Sequence, residues 1–229
     1  METATATTAP ASPGAGLAAR SVADIAAGLP GATAVFRKYK LDFCCGGQKP
    51  LAEAAAGRGV ALDAIEAELA ALEQVQTEAP QDTEALIALI ETRYHATHRR
   101  ELPELLRLAR RVEAVHGDKA EAPLGLADLL EEMGAELESH MQKEEQILFP
   151  LMRRGGHPMI GHPIGAMRAE HDDHGEHLRA LEALTDGGVP PAGACNTWRA
   201  LYAGTRKLAD DLMEHIHLEN NVLFPRFGA

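Results

Sequence analysis

The sequence predicts an all-α protein, a four-helix up-down-up-down bundle behind a small N-terminal helical domain. Three observations carry this. Alanine and leucine abound while aromatics are only 4% of the 229 residues, and no run alternates like a strand for more than a few positions. Four long helical patterns with modest connections occupy the chain beyond residue 80, the signature of a bundle. Finally, His140-x-x-x-Glu144-x-x-x-Leu148-Phe149-Pro150 returns 75 positions later as His215-x-x-x-Glu219-x-x-x-Leu223-Phe224-Pro225.

The elements follow in order. Residues 1–18 have no basic start and no apolar segment of signal type, so their Ala/Thr/Pro/Gly mixture reads as a disordered tail. Ser21-Val22-Ala23-Asp24 resembles a capping box opening a short helix that stops at Gly28-Leu29-Pro30. A second short helix is expected from about Ala32 to Tyr39. Next comes the loop Leu41-Asp42-Phe43-Cys44-Cys45-Gly46-Gly47, with Pro50 suited to the first turn of a third helix. Gly57-Arg58-Gly59 breaks the chain before a fourth helix, from about Leu62 to Val75, and Glu78-Ala79-Pro80 closes this domain. The expected division is thus 19–78 for the small domain and 81–229 for the bundle.

In the bundle, helix A is expected from about Thr83, behind an Asp82 cap, to His116, and helix B from about Leu124 to Phe149 or slightly beyond. Helix C should span about Ala166 to Asp186, after the Gly- and Pro-rich residues 155–165, and helix D about Cys195 to Phe224. Their inward stripes include His95, His98, Leu102 and Leu106 on A, and Leu137, His140, Glu144, Ile147 and Leu151 on B. On C they include His171, His174 and Leu178, and on D Leu212, His215, Glu219 and Val222.

The formal charge of −12 argues against nucleic acid or an anionic membrane as partner. No stretch approaches the roughly 18 apolar residues of a membrane span. Three cysteines, two of them adjacent, make no disulfide framework, which suits the reducing cytoplasm.

Ionisable groups inside an apolar stripe are costly unless paired or bound to something, and a metal explains all of them at once. Four residues is about one helical turn, so each His-x-x-x-Glu pair shares a helix face. Counting rise along antiparallel helices lets His95, His140, His171 and His215 lie in one layer, with Glu144 and Glu219 a turn away. Nitrogen and oxygen donors without cysteine suit iron, manganese or zinc, and six donors exceed what one zinc needs. Two bridging glutamates with two histidines per metal describe a dinuclear centre. His116 lies about 31 Å along helix A from His95 and reads as a helix-end residue. His98 and His174 read as residues supporting the ligands or lining an approach. His157, His162 and His217 read as surface residues, and Cys195 as structural.

The order of these residues resembles the hemerythrin-like domain. Phe36-Arg37-Lys38-Tyr39, the Cys44-Cys45-Gly46-Gly47 loop, Arg93-Tyr94-His95, Met141-x-Lys143-Glu144-Glu145-Gln146 and Leu218-Glu219-Asn220-Asn221 extend the likeness. Together they resemble the RIC family of di-iron proteins, which repair iron–sulfur clusters damaged by nitric oxide or oxidants. The resemblance covers about residues 20–226. It implies two iron ions per chain, bridged by an oxo group and held by His95, His140, Glu144, His171, His215 and Glu219. Cys44 and Cys45, in what reads as a flexible and accessible loop, are candidate relay thiols. Expected partners are damaged iron–sulfur proteins, nitric oxide or oxygen as a small ligand, and a second copy of the chain as a homodimer. Two other functions compete, a di-iron nitric oxide reductase and a reversible carrier or sensor of oxygen or nitric oxide. A carrier has no need for the cysteine domain and a sensor lacks an output domain, which favours repair.

Overall fold

A computed structural model describes residues 16–29, 31–72 and 82–228. Residues 1–15 of the expected tail, Pro30, the end of the fourth helix at Val75 and the closing Glu78-Ala79-Pro80 lie outside the described residues. The tail's last residues instead enter a short 3-10 turn, Leu17–Ala19, where the Ala18 N–H donates to Glu66 at 3.1 Å. Among the described residues no strand forms, and the all-α expectation holds.

The small domain holds α1 (Val22–Gly28), α2 (Ala32–Lys38), α3 (Leu51–Arg58) and α4 (Leu62–Leu72). Ser21 opens α1 as the sequence predicts, its hydroxyl accepting the Asp24 N–H at 3.0 Å. Val22, Ile25, Phe36, Leu41, Phe43, Leu51, Ile65 and Leu69 form its core.

Four long helices follow. The first, α5, runs through Thr83–Leu89, a π-helical stretch Ile90–His95, and Ala96–His116. Next, α6 comprises Leu126–Lys143, a π-helical Glu144–Leu148 and Phe149–Arg153, while α7 is an uninterrupted Gly161–Leu184. The last, α8, comprises Asn196–His217, a π-helical Leu218–Leu223 and a final 3-10 turn, Phe224–Phe227. Helix C therefore begins about one turn earlier than expected, because Pro163 is tolerated in a first turn, where its missing N–H has no intrahelical acceptor to lose.

The three π turns are the main departure from the expected geometry. Each adds a residue to one turn, and such bulges concentrate at functional positions. Beyond Glu144 the register rotates, so Ile147, expected inside, is 56% exposed while Leu148 is buried. The same displacement buries Leu223 in place of Val222. Nor is Pro150 a stop, since α6 continues past it to Arg153. The widened turn before it relaxes the clash a proline ring makes with the carbonyl four residues back.

Two apolar clusters divide the bundle. One contains Leu102, Leu105, Leu130, Leu137, Met141, Trp198, Leu208 and Leu212. The other contains Leu86, Ile90, Leu148, Phe149, Met167, Leu223 and Phe224. The proposed ligand residues lie where the two clusters meet along each of the four helices, as a polar slab bordered by hydrocarbon.

Candidate metal centre

All six residues of the expected layer come together, each at most 1% exposed. They form two tetrads, His95–Glu144–His215–Glu219 and His140–Glu144–His171–Glu219, with donor atoms within 4.8 Å of one another in each. Both glutamates belong to both tetrads. Glu144 Oε2 lies 3.4 Å from the Nε2 atoms of His95 and His140. Glu219 reaches His215 Nε2 at 2.9 Å with one oxygen and His171 Nε2 at 3.0 Å with the other. Across the pairs, Nε2 of His95 is 3.0 Å from that of His215, and Nε2 of His171 is 3.1 Å from that of His140.

Three imidazoles are held from behind by residues of a neighbouring helix. His95 Nδ1 is 2.8 Å from Glu145 Oε1, His140 Nδ1 is 3.0 Å from Glu170 Oε2, and His171 Nδ1 is 2.9 Å from Asn220 Oδ1. An acceptor at Nδ1 draws the ring proton there, so in the neutral imidazole Nε2 presents a lone pair to the interior. Glu145 is in turn gripped by Arg99 at 2.7 Å, and Glu170 by Lys143 at 2.6 Å. His215 differs: its Nδ1 is buried without a hydrogen-bond partner.

The donor set fits a cation. Both Glu144 oxygens are buried without a hydrogen-bond partner, a cost that an ion between the carboxylates would remove. Proton affinities express the same imbalance. Burial, with the neighbouring Glu219 charge, pushes the Glu144 carboxyl well above the usual range. Burial acts likewise on Glu219, but His215, His140 and His171 outweigh it and hold that carboxyl well below. His140 is desolvated, yet Glu144, Glu170 and Glu219 together raise it to about 10. Burial and His215 lower His95 to about 4.

The phenylalanine of the recurrent Leu-Phe-Pro covers a proposed ligand in both copies. Phe149 stacks on His95 with centroids 5.8 Å apart, and Phe224 on His171 at 6.0 Å. Tyr94 stacks on His215 at 5.7 Å. These aromatic faces, with Glu145, Glu170 and Asn220, escaped the sequence reading. Each polar support directly adjoins a proposed ligand in the chain yet serves a ligand on another helix, which was the available signal. Glu170→Ala is therefore expected to loosen His140 and lower metal affinity by about 10- to 100-fold, with the fold retained; competition with a chelator measures it.

Other expectations divide. His98 and His174 are buried beside His215 and His140, with ring centroids at 5.4 and 5.2 Å, outside both tetrads. His116 ends its helix far from the centre, with Nε2 3.3 Å from the exposed Cys195 Sγ. His157 and His162 are exposed. His217, expected at the surface, is instead 2% exposed. It packs edge-on against Phe43 at 5.5 Å and lies 3.0 Å from Asn221, because the small domain covers this side of α8.

The cysteine loop is tied down by hydrogen bonds and partly covered, with Cys44 buried and Cys45 half-buried. Asp42 Oδ1 accepts the backbone N–H groups of Cys44 at 3.1 Å and Cys45 at 3.0 Å, and Gly47 O accepts the Ala23 N–H at 2.8 Å. A Cβ on Gly47 would meet Phe43 O at 2.7 Å, so the glycine serves close packing and not mobility. Cys44 is buried and joins the bundle's own core. Its hydrogen bond to Cys45, burial and the Asp42 charge raise its pKa, so the thiol form prevails. Cys45 Sγ donates to His171 O at 3.1 Å and faces Gly175, where a Cβ would approach that sulfur to 3.3 Å.

The comparisons agree with this architecture. A model for the hemerythrin HHE cation binding domain matches residues 86–227, and one for ScdA_N, a domain of unknown function, matches residues 18–73. The iron-sulfur cluster repair protein YtfE of Yersinia pseudotuberculosis serotype O:1b is 49% identical over 90% of this chain and 96% of its own length. The YtfE protein of Pectobacterium atrosepticum is 48% identical with the same coverage. That of an Enterobacter species is 51% identical over 86% of this chain and 91% of its own. The chain belongs to the YtfE family of iron–sulfur cluster repair proteins, and its larger part is a hemerythrin HHE domain.

Proposed function

We propose that this protein repairs iron–sulfur clusters damaged by nitrosative or oxidative stress, through two iron ions held by His95, His140, Glu144, His171, His215 and Glu219. The observation that carries the reading is the pair of buried tetrads sharing both glutamates. The names of the similar proteins support the repair role. Iron supplies redox activity and positions open to a small ligand such as nitric oxide or oxygen. The chain's own residues do the rest. Glu145, Glu170 and Asn220 aim His95, His140 and His171, and Phe149, Phe224 and Tyr94 keep water from the faces of His95, His171 and His215.

Cys44 and Cys45 are the proposed relay thiols. Cys45 touches the backbone of α7 at His171, and Cys44 lines a cavity of about 470 Å³ between the small domain and the bundle. Six basic residues, among them Arg37, Lys40 and Arg206, line the same cavity against the three acids Asp42, Glu182 and Asp210, an excess that suits an anionic region of a damaged iron–sulfur protein as partner. We place the functional division at 19–78 and 81–229. No described helix is long and apolar enough to cross a membrane, and the three free cysteines suit the cytoplasm.

Incubating the iron-loaded protein with a nitric-oxide-damaged iron–sulfur enzyme tests the reading. Activity of the damaged enzyme should return, and His215→Leu protein should restore none. Equal recovery with both proteins would overturn it.

A further inference from the structure

A second group of metal-binding side chains lies beside the centre. Glu136 precedes His140 by one turn on α6, while His174 and His177 follow His171 by one and two turns on α7. Donor atoms of the three lie within 4.8 Å of one another. His177 Nδ1 is 3.6 Å from Glu136 Oε2, too far for a hydrogen bond, and that nitrogen is buried without a partner. His174 Nε2 is likewise buried and unpartnered, in a residue only 3% exposed. A simple surface ion pair would account for Glu136 and His177 but would leave the inner imidazole unsatisfied.

We infer that Glu136, His174 and His177 form a second divalent-metal site, which stages iron moving to and from the buried centre. Two imidazole nitrogens and one carboxylate are a donor set that Fe²⁺ and Zn²⁺ both accept, and three protein ligands leave positions for water, hence for exchange. Exposure falls stepwise through the site. The Glu136 side chain is 46% exposed, that of His177 17%, and His174 is buried. From His174 the next imidazole inward is His140, edge-on at 5.2 Å. An ion held by the three thus stands between solvent and one tetrad. Metal binding here stands on the three residues alone, whereas the staging role rests on the di-iron reading above.

The test uses the full, iron-loaded chain with Zn²⁺ as probe, followed by calorimetry and by iron analysis of the same samples. The wild type should bind one further Zn²⁺ without losing iron. Glu136→Gln and His177→Ala should each weaken that binding by about tenfold or more; both positions have solvent access, and thermal melting checks the fold. Staging is read by extracting iron with a ferrous chelator. One equivalent of Zn²⁺ should slow extraction severalfold from the wild type and leave it unaltered in His177→Ala. Absence of the additional Zn²⁺, or equal Zn²⁺ binding by wild type and both variants, would overturn the site. Zn²⁺ binding that leaves iron extraction unchanged would overturn the staging role. Failure of the di-iron reading is distinguishable, because it appears as missing iron in the starting protein while the Zn²⁺ titration still reports on the three residues.

Discussion

Glu219→Leu is expected to strip the centre and to lower the melting temperature. Glu219 touches both histidine pairs, His215 at 2.9 Å and His171 at 3.0 Å, so its loss removes a donor from each metal position at once. Glu144 is equivalent, lying between His95 and His140. Metal binding contributes folding free energy, because a preformed site does not exist in the unfolded chain. Free metal at a thousand times its dissociation constant stabilises by about 4 kcal/mol. For a chain of this size each kcal/mol moves the melting temperature by about 2–4 °C, which makes a fall of roughly 8–16 °C on metal removal. Chelated wild type should melt lower as well, since both oxygens of the buried Glu144 are then left without a partner. Leucine at 219 also removes the carboxylate that His171 and His215 meet, so the variant should melt at or below chelated wild type. Iron analysis and calorimetry on the same samples decide it. Two irons retained in Glu219→Leu would show that the metal lies elsewhere. His116→Leu, at a helix end beside Cys195, should leave the iron content unchanged.

Replacing Cys44 and Cys45 together with serine should abolish or slow repair while leaving the iron content and optical spectrum of the centre intact. Serine keeps the approximate size and can still donate to His171 O, but supplies no thiolate at neutral pH. The structure sharpens this expectation. Because Cys44 is a buried thiol with a raised pKa, relay requires the loop to open or a partner to occupy the cavity beside it. The assay is recovery of a nitric-oxide-damaged iron–sulfur enzyme. Full recovery with the double serine variant would return both cysteines to a packing role. A chain starting near Gln81 is a poorer test, since it would also uncover His217 and Met213, which pack against the small domain.

The helices and the six converging residues were legible because period and spacing are local properties. The repeated His-x-x-x-Glu placed both glutamates on inward faces, and rise per residue brought four histidines to one level. What failed was geometry that spacing does not encode. An extra residue within a turn leaves no mark on composition, so Ile147 and Val222 were assigned inward when Leu148 and Leu223 are the buried residues. The paired glycines read as freedom, though Gly47 is a matter of clearance from Phe43 O. His217 read as surface because its cover comes from residues more than 170 positions earlier in the chain. The supports Glu145, Glu170 and Asn220 adjoin ligands in sequence, but which ring each one holds depends on helix packing, which a linear reading does not supply.

Those supports have a handed order. A residue of α6 holds the imidazole of α5, one of α7 holds that of α6, and one of α8 holds that of α7. Completing the circuit would take a residue of α5 behind His215. No such partner meets His215 Nδ1, and α5 instead lays the flat face of Tyr94 over the ring. The pseudo-symmetry announced by the repeated motif is therefore broken at one corner. One tetrad has an acceptor behind both of its rings, whereas the other has an acceptor behind His95 and none at Nδ1 of His215. Two ions seated here would not be twins: one would face two imidazoles each backed by an acceptor and the other only one, and a spectroscopy that resolves individual nuclei would record two environments from a centre whose six donors look like a duplicate set.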